Sequence, residues 1–423
     1  MENLRDAILR NSLELSSILS GKMIDRDLEL DRNAISAGMI EVITGPRRAG
    51  KSVLALQSVR NELFAYLNFD DETLVKVKDY NEFLRYAAEI YGNFNFIVLD
   101  EIQNLNGWEL FVNRLQRSSY RIVLTGSNSK LLSGELASHL TGRHMENILL
   151  TFSFIEFLRA RGKTADGYSV RITDERRGEI LSLLREYLVA GGYPELITKG
   201  IDRKGYVTTL IDSTILNDIA ARNRVSNPAV VISLIKYLFD IYSNEFTFTS
   251  IKNAIGLGSV HTAEKYTYYA EEAFLLFTIS RFSVKATERS RSSRKVYVID
   301  NAIASVYSFR FSGDIGKRME NTVAIELFRK YGRKMKFNVF YWKSQNGEVD
   351  FLIKDGNAVK ELIQVTYASS EDEVKERETA GLVKASIATG CNDLKVITWD
   401  FEGSSVIGNR KISFVPLWRW LIH

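Results

Sequence analysis

Short apolar runs alternate with helix-periodic segments over residues 39–157 of this 423-residue chain. Short apolar runs bounded by polar residues are typical of buried strands, and helices between them favour parallel pairing. The pattern therefore predicts an α/β domain built on a parallel sheet. Its strands are expected at Met39–Thr44, Ala65–Asn68, Phe96–Leu99, Arg121–Thr125 and Asn147–Leu150.

Helical periodicity dominates much of the remaining chain. Residues 1–35 predict one or two charged amphipathic helices, and residues 174–245 are mostly helical in period. Beyond about Glu320, a helix over Val323–Tyr331 precedes strands whose turns are indicated by Asn346-Gly347 and Asp355-Gly356. Strands are therefore expected again in the last part of the chain.

Helix-turn-helix spacing begins at Thr249. A short helix closed by a glycine is followed by a tight turn and a second helix, and two strands then enclose a polar segment. This order predicts a winged helix. Its parts are the helix Thr249–Gly256, the turn Leu257–Ser259, the helix Thr262–Ala273, the strands Phe274–Ile279 and Val296–Ile299, and the segment Arg281–Lys295 between the strands.

The pattern G-x-x-x-x-G-K-[ST] directly follows the first predicted strand. Glycines in such a loop let backbone N–H groups surround an anion at the amino end of the next helix, predicted here over Ser52–Phe64. Lys51 can then reach the outer phosphates of a nucleoside triphosphate, and Ser52 can ligate Mg²⁺. The expected nucleotide-binding residues are Gly45, Pro46, Arg47, Arg48, Ala49, Gly50, Lys51, Ser52 and Val53.

Two adjacent carboxylates, Asp100 and Glu101, end the apolar strand Phe96–Leu99. Open α/β sheets place their ligand chemistry at the carboxyl ends of the strands. Asp100 is expected to ligate Mg²⁺, and Glu101 to orient or deprotonate the attacking water. Asp70 and Asp71 follow another strand, where either could face Mg²⁺ or start a turn.

The strand Arg121–Thr125 supplies further candidates. Polar residues at its end could sense the γ-phosphate, with Thr125, Ser127 and Asn128 as alternatives. Downstream, Arg143 could stabilise charge on the transferred phosphoryl group, from the same chain or from a neighbouring one.

The composition excludes several classes of protein. One cysteine, Cys391, leaves no internal disulfide and fits a reducing compartment. No apolar run approaches the ~20 residues that span a bilayer, and the amino terminus lacks the apolar region of a signal peptide. We therefore expect a cytoplasmic protein without a membrane partner. The net charge of +4 is too small to identify a partner.

The segment Arg281–Lys295 is nevertheless locally basic, with six basic residues against one acid. A basic, serine-rich wing suits contact with phosphate groups, so double-stranded DNA is a candidate partner. A protein-docking role or a solvated turn is the alternative. The candidate nucleic-acid contacts are Lys285, Arg289, Arg291, Arg294 and Lys295.

Several motifs in combination carry a family resemblance. They are Thr44–Ser52, Leu99–Gln103, Thr125–Ser127 with Gly142-Arg143, Phe152–Phe157, Gly191–Pro194 and Gly347–Phe351. Together they closely resemble the AAA-type ATPases of archaea and bacteria that carry a C-terminal domain of unknown function. The resemblance covers most of the chain. It implies an AAA+ core, a helical connector, a winged-helix segment, a restriction-endonuclease-like C-terminal fold, and adenine as the base.

An active site of that endonuclease-like fold needs an acid on each of two strands, and a lysine two residues after the second acid. Asp350 occupies the first acid position, with Glu348 nearby and Glu326 on the preceding helix. On the next strand, Gln364 and Thr366 stand at the acid and lysine positions. Because an amide brings no charge to hold Mg²⁺, we expect an inactive nuclease fold.

We therefore predict an ATP-binding, Mg²⁺-dependent AAA+ ATPase whose nucleotide state controls engagement of a partner, with DNA as the candidate. An ATP-dependent DNA-processing nuclease is one alternative, and a nucleotide-gated protein-interaction switch without nucleic acid is another. A homo-oligomer also remains open. The predicted domains are an ATPase domain over 1–160, a helical connector over 161–245, a winged helix over 246–312 and an endonuclease-like domain over 313–423.

Overall fold

The computed structural model of the chain describes residues 3–21, 23–127, 142–168, 172–283, 285, 287–288, 292–308, 314–345 and 347–422. The chain divides into two compact units. The first is Met1–Thr151 with Glu272–Phe274, and the second is Phe152–Glu271 with Leu275–His423. The four-part domain division expected from the sequence stays a prediction.

A five-stranded parallel sheet forms the centre of the first unit. Its strands are β1 Ile40–Thr44, β2 Phe64–Asn68, β3 Phe96–Asp100, β4 Arg121–Gly126 and β5 His144–Ile148. Their order across the sheet is β2-β3-β4-β1-β5, and every neighbouring pair is parallel. The predicted α/β class is confirmed. Because the strands are parallel, the carboxyl ends of β1, β3 and β4 meet at one edge.

Helices supply both covering layers of this sheet. They are α1 Leu4–Ser20, α2 Arg32–Ser36, α3 Lys51–Val59, α4 Tyr80–Tyr91 and α5 Trp108–Arg117. Side chains that alternate along the strands enter two separate cores. Val42 and Leu124 pack with α1, α4 and α5, whereas Ile43 and Val123 pack with α3.

In the first unit, one predicted helix and one predicted strand have boundaries that differ from the observed ones by three residues or more. The helix expected over Ser52–Phe64 ends at Val59, because Leu63 is 69% exposed and Phe64 already begins β2. The strand expected over Asn147–Leu150 is β5, which begins earlier, at His144. This edge strand is only partly buried, so its polar residues hid it from a search for apolar runs.

Helices open the second unit and lead into a small sheet. The helices are α6 Phe154–Ala160, α7 Asp174–Ala190, α8 Pro194–Lys199, α9 Arg203–Ser213, a π-helix Thr214–Ala221, α10 Pro228–Asp240, α11 Phe248–Ile255 and α12 Val260–Glu272. The strands are β6 Glu245–Phe246, β7 Leu276–Ser280 and β8 Arg294–Val298. They form an antiparallel sheet in the order β6-β8-β7, so β8 lies at its centre.

A six-stranded mixed sheet forms the carboxyl part of the second unit. Its strands are β9 Val339–Ser344, β10 Gly347–Asp355, β11 Ala358–Val365, β12 Leu394–Thr398, β13 Gly403–Ile407 and β14 Arg410–Pro416. The order is β13-β14-β12-β11-β10-β9, with β12 parallel to both of its neighbours. The helices here are α13 Asn301–Tyr307, α14 Ile315–Tyr331, α15 Met335–Asn338, α16 Glu376–Thr389 and α17 Leu417–Ile422. No helix within the described ranges has the length and apolar character to cross a membrane.

Candidate functional site

The P-loop joins the end of β1 to the start of α3. Gly45 has φ of 145° and Gly50 has φ of 93°, values that residues with a Cβ atom rarely adopt. A Cβ atom on Gly45 would lie 2.0 Å from the carbonyl oxygen of Leu149, so only glycine fits there. Gly50 precedes α3 without a side-chain cap, which leaves the first N–H groups of that helix available to an anion.

Arg26 supports this loop from the amino-terminal segment. Its Nη1 donates a hydrogen bond of 2.7 Å to the carbonyl oxygen of Ala49, and its Nη2 one of 2.6 Å to that of Leu150. The guanidinium thereby ties the loop to the residues after β5. Arg26 could not be identified from the sequence, because no motif marks an arginine that binds backbone carbonyls.

Lys51 lies over the loop, and its side chain is only 4% exposed. Its Nζ donates hydrogen bonds to the carbonyl oxygens of Pro46 at 3.1 Å and Gly45 at 3.3 Å. The same Nζ lies 3.8 Å from Oε1 of Glu101. The structure therefore brings together the predicted phosphate-binding lysine and the predicted water-activating glutamate.

Asp100 is buried at the end of β3 and is held by hydroxyl groups. The Tyr66 hydroxyl donates to its Oδ2 at 2.6 Å, and the Thr125 hydroxyl donates to its Oδ1. The Ser52 hydroxyl also hydrogen-bonds to this carboxylate. Burial, with the charge of Glu101, raises the pKa of Asp100 despite these hydrogen bonds. Tyr66 was not foreseen, because a tyrosine inside a strand carries no recognisable signal.

Glu101 adopts a left-handed backbone conformation, with φ of 49°. Backbone strain of this kind occurs at active sites, where the surrounding structure must hold it. Here the Glu101 amide donates to Thr125 Oγ1 at 3.1 Å, and Glu101 Oε2 accepts from Gln103 and from the Ser127 amide. Burial favours the neutral acid, but Lys51 and the hydrogen bonds outweigh it and lower the pKa of Glu101.

The structure separates the two aspartates that follow β2. Asp71 accepts a hydrogen bond from Arg10 and another from the Thr73 amide, so it pairs with α1 and starts a turn. Asp70 lies near both carboxylates of the site: burial and the charges of Glu101 and Asp100 raise its pKa. Of the pair, Asp70 is the one that faces the site.

The sensor candidates lie at the end of β4. Thr125 contacts both Asp100 and Glu101, and Ser127 donates its backbone N–H to Glu101. Asn128 lies outside the described residues. The choice of sensor stays a prediction, but Thr125 already has a structural role in positioning the two carboxylates.

Arg143 does not lie beside the P-loop of its own chain. Its carbonyl oxygen accepts a hydrogen bond of 2.9 Å from Ile40 at the start of β1. The P-loop follows Thr44 at the other end of that strand, roughly 13 Å away at the usual rise per residue. The geometry therefore does not support a role for Arg143 at its own phosphate site. A role at the site of a neighbouring chain stays a prediction.

Oxygen donors beside the P-loop fit Mg²⁺ bound together with a nucleotide. Ser52 and Asp100 bring a hydroxyl and a carboxylate into contact. Mg²⁺ characteristically uses one or two protein carboxylates and completes its shell with water and substrate phosphates. Accordingly, the described part of the chain contains no cluster of three or more His, Cys, Asp or Glu arranged to hold a metal unaided.

Of the five candidate DNA contacts, the structure describes Lys285, which lies between β7 and β8, and Arg294 and Lys295, which lie in β8 itself. Lys285 is exposed and pairs with Glu288 at 3.1 Å, and the Arg294 guanidinium lies 5.0 Å from the centre of the Phe248 ring. Lys295 is only 3% exposed and points into the protein, so it cannot contact a nucleic acid in this structure. Arg289 and Arg291 lie outside the described residues.

Comparisons with known proteins identify three regions of the chain. A family model described as an AAA domain matches residues 38–158. Two further models, described as domains of unknown function (DUF8612 and DUF4143), match residues 181–312 and 315–402. The AAA match spans the parallel sheet and the P-loop.

Two curated relatives extend the similarity along the chain. An uncharacterized protein of Methanocaldococcus jannaschii is 33% identical over an alignment of 432 positions, gaps included. The alignment covers 98% of this chain and 94% of the relative. An uncharacterized protein of Haemophilus influenzae is 31% identical over 350 residues, covering 79% of this chain and 84% of that protein.

Among solved structures, a DNA replication initiation factor is 15% identical, with a TM-score of 0.26, and covers 62% of this chain and 94% of its own. A TM-score this low carries no argument about function. The AAA match and the near full-length relative are what decide the family, which implies nucleotide binding at the P-loop. The chain belongs to the family of AAA-type ATPases that carry a C-terminal domain of unknown function.

Proposed function

We propose that this protein hydrolyses ATP with Mg²⁺, and that Glu101 activates the attacking water. The observation that carries the proposal is the difference between two neighbouring carboxylates. Asp100 is buried among hydroxyl donors, whereas Glu101 faces the Lys51 ammonium and has a lowered pKa. A carboxylate that stays ionised can accept a proton from water, which a general base must do.

The roles of the other residues follow from their chemistry. Lys51 would exchange its hydrogen bonds to the loop carbonyls for the outer phosphates of ATP. Ser52 and Asp100 would hold Mg²⁺, which neutralises the charge that develops on the phosphates when it is bound. Glu101 takes one proton from the water as its oxygen attacks the γ-phosphorus, and ADP leaves with the electrons of the broken P–O bond. The products are ADP and inorganic phosphate.

The test is Glu101→Gln, which keeps the shape of the side chain and removes the base. We expect the hydrolysis rate to fall by about a hundredfold or more, while a fluorescent ATP analogue still binds. Glu82→Gln, at an exposed glutamate of α4 that pairs with Arg85, is the matched control and should keep wild-type turnover. Unchanged hydrolysis in Glu101→Gln would overturn the proposal.

DNA engagement is a second candidate function, supported by a different surface from the one expected. Lys330, Lys334 and Lys336 are exposed at the end of α14 and around α15, and Phe337 beside them is 64% exposed. In the described part of the chain, no carboxylate forms an ion pair with these three lysines. Lys336 Nζ lies 4.9 Å from the centre of the Phe337 ring. Cations without a carboxylate partner beside an exposed aromatic ring suit phosphates and unstacked bases.

Two triple variants distinguish the candidate surfaces. One carries Lys330→Glu, Lys334→Glu and Lys336→Glu, and the other carries Lys285→Glu, Arg289→Glu and Arg291→Glu. We expect the wild type to bind a duplex or single-stranded oligonucleotide with an affinity that falls as salt rises, and the first variant to lose this binding. If the wild type binds neither DNA at low salt, the protein-interaction switch becomes the better explanation of the nucleotide site.

A further inference from the structure

Lys295 places a buried ammonium group in a cluster of acids within the second unit. Its Nζ lies 2.8 Å from Oε1 of Glu348, 2.9 Å from Oδ1 of Asp350 and 3.2 Å from Oε1 of Glu320. The lysine side chain is 4% exposed. The three acids come from β10 and α14, while the lysine comes from the central strand of the small sheet.

Asp350 and Glu320 also form hydrogen bonds with groups other than Lys295. Asp350 Oδ2 accepts from the Val365 amide at 3.0 Å, and the Asp350 amide donates to Oε1 of Gln364. Glu320 Oε1 also accepts from the Tyr297 hydroxyl at 2.8 Å. The Gln364 carbonyl, which could have ligated a metal, therefore already has a partner.

The acid that α14 contributes to this cluster is Glu320. The sequence had indicated Glu326 instead. Glu326 pairs with Arg329 on the same helix at 3.0 Å. Glu361, which lies in β11, pairs with Nζ of Lys395 at 2.6 Å. Each of these acids pairs with another cation, so the acids around Lys295 are Glu320, Glu348 and Asp350.

These residues do not fit the Mg²⁺ that an endonuclease-like fold implies. A metal ligated by Glu348 and Asp350 would have to share their oxygens with the ammonium of Lys295, and two cations at that separation repel strongly. An ammonium instead has three donors, one for each carboxylate, and a buried charge needs such partners.

We propose that Lys295 is the resident cation of this acid cluster and takes the place of a divalent metal. In this arrangement the lysine joins the central strand of the small sheet to the six-stranded sheet and excludes metal from the cluster. Removing the ammonium should leave Glu320, Glu348 and Asp350 as a site for a divalent cation. The inference is independent of ATP hydrolysis at the P-loop.

The test is Lys295→Met in the full chain without nucleotide, with Mn²⁺ as the probe. Isothermal titration and the electron paramagnetic resonance of free Mn²⁺ should show a site in the variant that binds at least about tenfold more tightly than any in the wild type. Mn²⁺ should also raise the melting temperature of the variant and not that of the wild type. Lys343→Met is the matched control, because Lys343 lies 3.8 Å from Glu348 but outside the centre of the cluster.

Adding Asp350→Asn to Lys295→Met should abolish the new Mn²⁺ site. If Lys295→Met folds poorly, adding Glu320→Gln should restore folding, because it removes one of the uncompensated charges. Three results would overturn the proposal: Asp350-dependent Mn²⁺ binding by the wild type, wild-type stability of Lys295→Met without any cation, or a folding defect that neither Mn²⁺ nor Glu320→Gln relieves.

Discussion

At the scale of single residues, Thr125 links the two carboxylates on which the proposed chemistry depends. One hydroxyl group donates to Asp100 and accepts from the backbone N–H of Glu101. This arrangement helps to hold Glu101 in its strained backbone conformation. A residue that looked like a phosphate sensor in the sequence thus has a role before any nucleotide binds.

We predict that Thr125→Ala lowers the rate of ATP hydrolysis by about tenfold to a hundredfold, because misplacing a general base is costly. Binding of ATP should change little, since the P-loop is untouched. Steady-state kinetics together with titration of a fluorescent ATP analogue would separate the two effects. Thr125→Ser keeps the hydroxyl and should stay close to wild type; equal losses in both variants would contradict this role.

Glu320 provides a prediction about pH. Burial and the nearby charge of Asp350 raise its pKa to about 7, although Lys295 opposes the shift. A carboxyl group with a raised folded-state pKa favours the folded state at low pH, and this contribution is lost as the pH rises towards 7. The groups that face it are Lys295, Tyr297 and Asp350.

We therefore predict that the free energy of unfolding of the wild type falls relative to that of Glu320→Gln between about pH 4.5 and pH 7. The raised pKa of Glu320 corresponds to a change of up to about 3 kcal/mol in the free energy of unfolding. Urea unfolding at several pH values, followed by tryptophan fluorescence, would measure it. Parallel pH dependences of the two proteins would show that Glu320 does not titrate in this range.

At the scale of elements, the turn from β1 through the P-loop into α3 requires Gly45 to pack closely against Leu149, which follows β5. The Gly191-Gly192 pair of the second unit shows the same principle. A Cβ atom on Gly191 would lie 1.8 Å from Oδ1 of Asp300, and one on Gly192 would lie 2.3 Å from the carbonyl oxygen of Phe152. The sequence shows such glycines as motifs, but only the fold reveals which atoms they must approach.

We predict that Gly45→Ala destabilises the first unit by more than about 2 kcal/mol and lowers ATP affinity at least tenfold, because it combines a steric clash with backbone strain. Gly38→Ala is the control, since Gly38 also has a positive φ, of 82°, but among the described residues no atom lies within 4 Å of an added Cβ. It should cost only about 1 kcal/mol. Thermal unfolding with and without ATP would measure both; similar losses in the two variants would show that the clash is unimportant.

At the scale of the whole molecule, the position of Arg143 bears on assembly. Parallel pairing of β5 with β1 places it at the opposite end of β1 from the P-loop. An arginine there can act on phosphate only at the site of another chain. The candidate role of Arg143 on phosphate therefore requires a homo-oligomer, which the sequence left open.

We predict that Arg143→Ala and Lys51→Ala are each inactive alone and regain activity when mixed. In a mixed assembly, the Lys51→Ala chain supplies an arginine to the intact P-loop of the Arg143→Ala chain. ATPase activity measured against the mixing ratio, with the mass in solution followed in parallel, tests this. Full activity of Arg143→Ala alone would remove the arginine from the mechanism, and no recovery on mixing would argue against action between chains.

The sequence by itself determined the ATPase core. Gly45–Ser52 and Asp100-Glu101 are contiguous motifs, and the apolar strands around them are local patterns, so the α/β fold and the nucleotide site could be predicted. Boundaries were less accurate where an edge strand is polar, as in β5.

Only the tertiary structure decided which residues from distant parts of the chain meet. It placed Asp70 rather than Asp71 towards the site, Arg26 behind the P-loop, and Arg143 far from its own phosphate site. It also showed that Lys295, which the sequence offered as a DNA contact, is buried in a cluster of acids. Strand register and burial govern these contacts, and both depend on partners far apart in the sequence, which neither periodicity nor a short motif can specify.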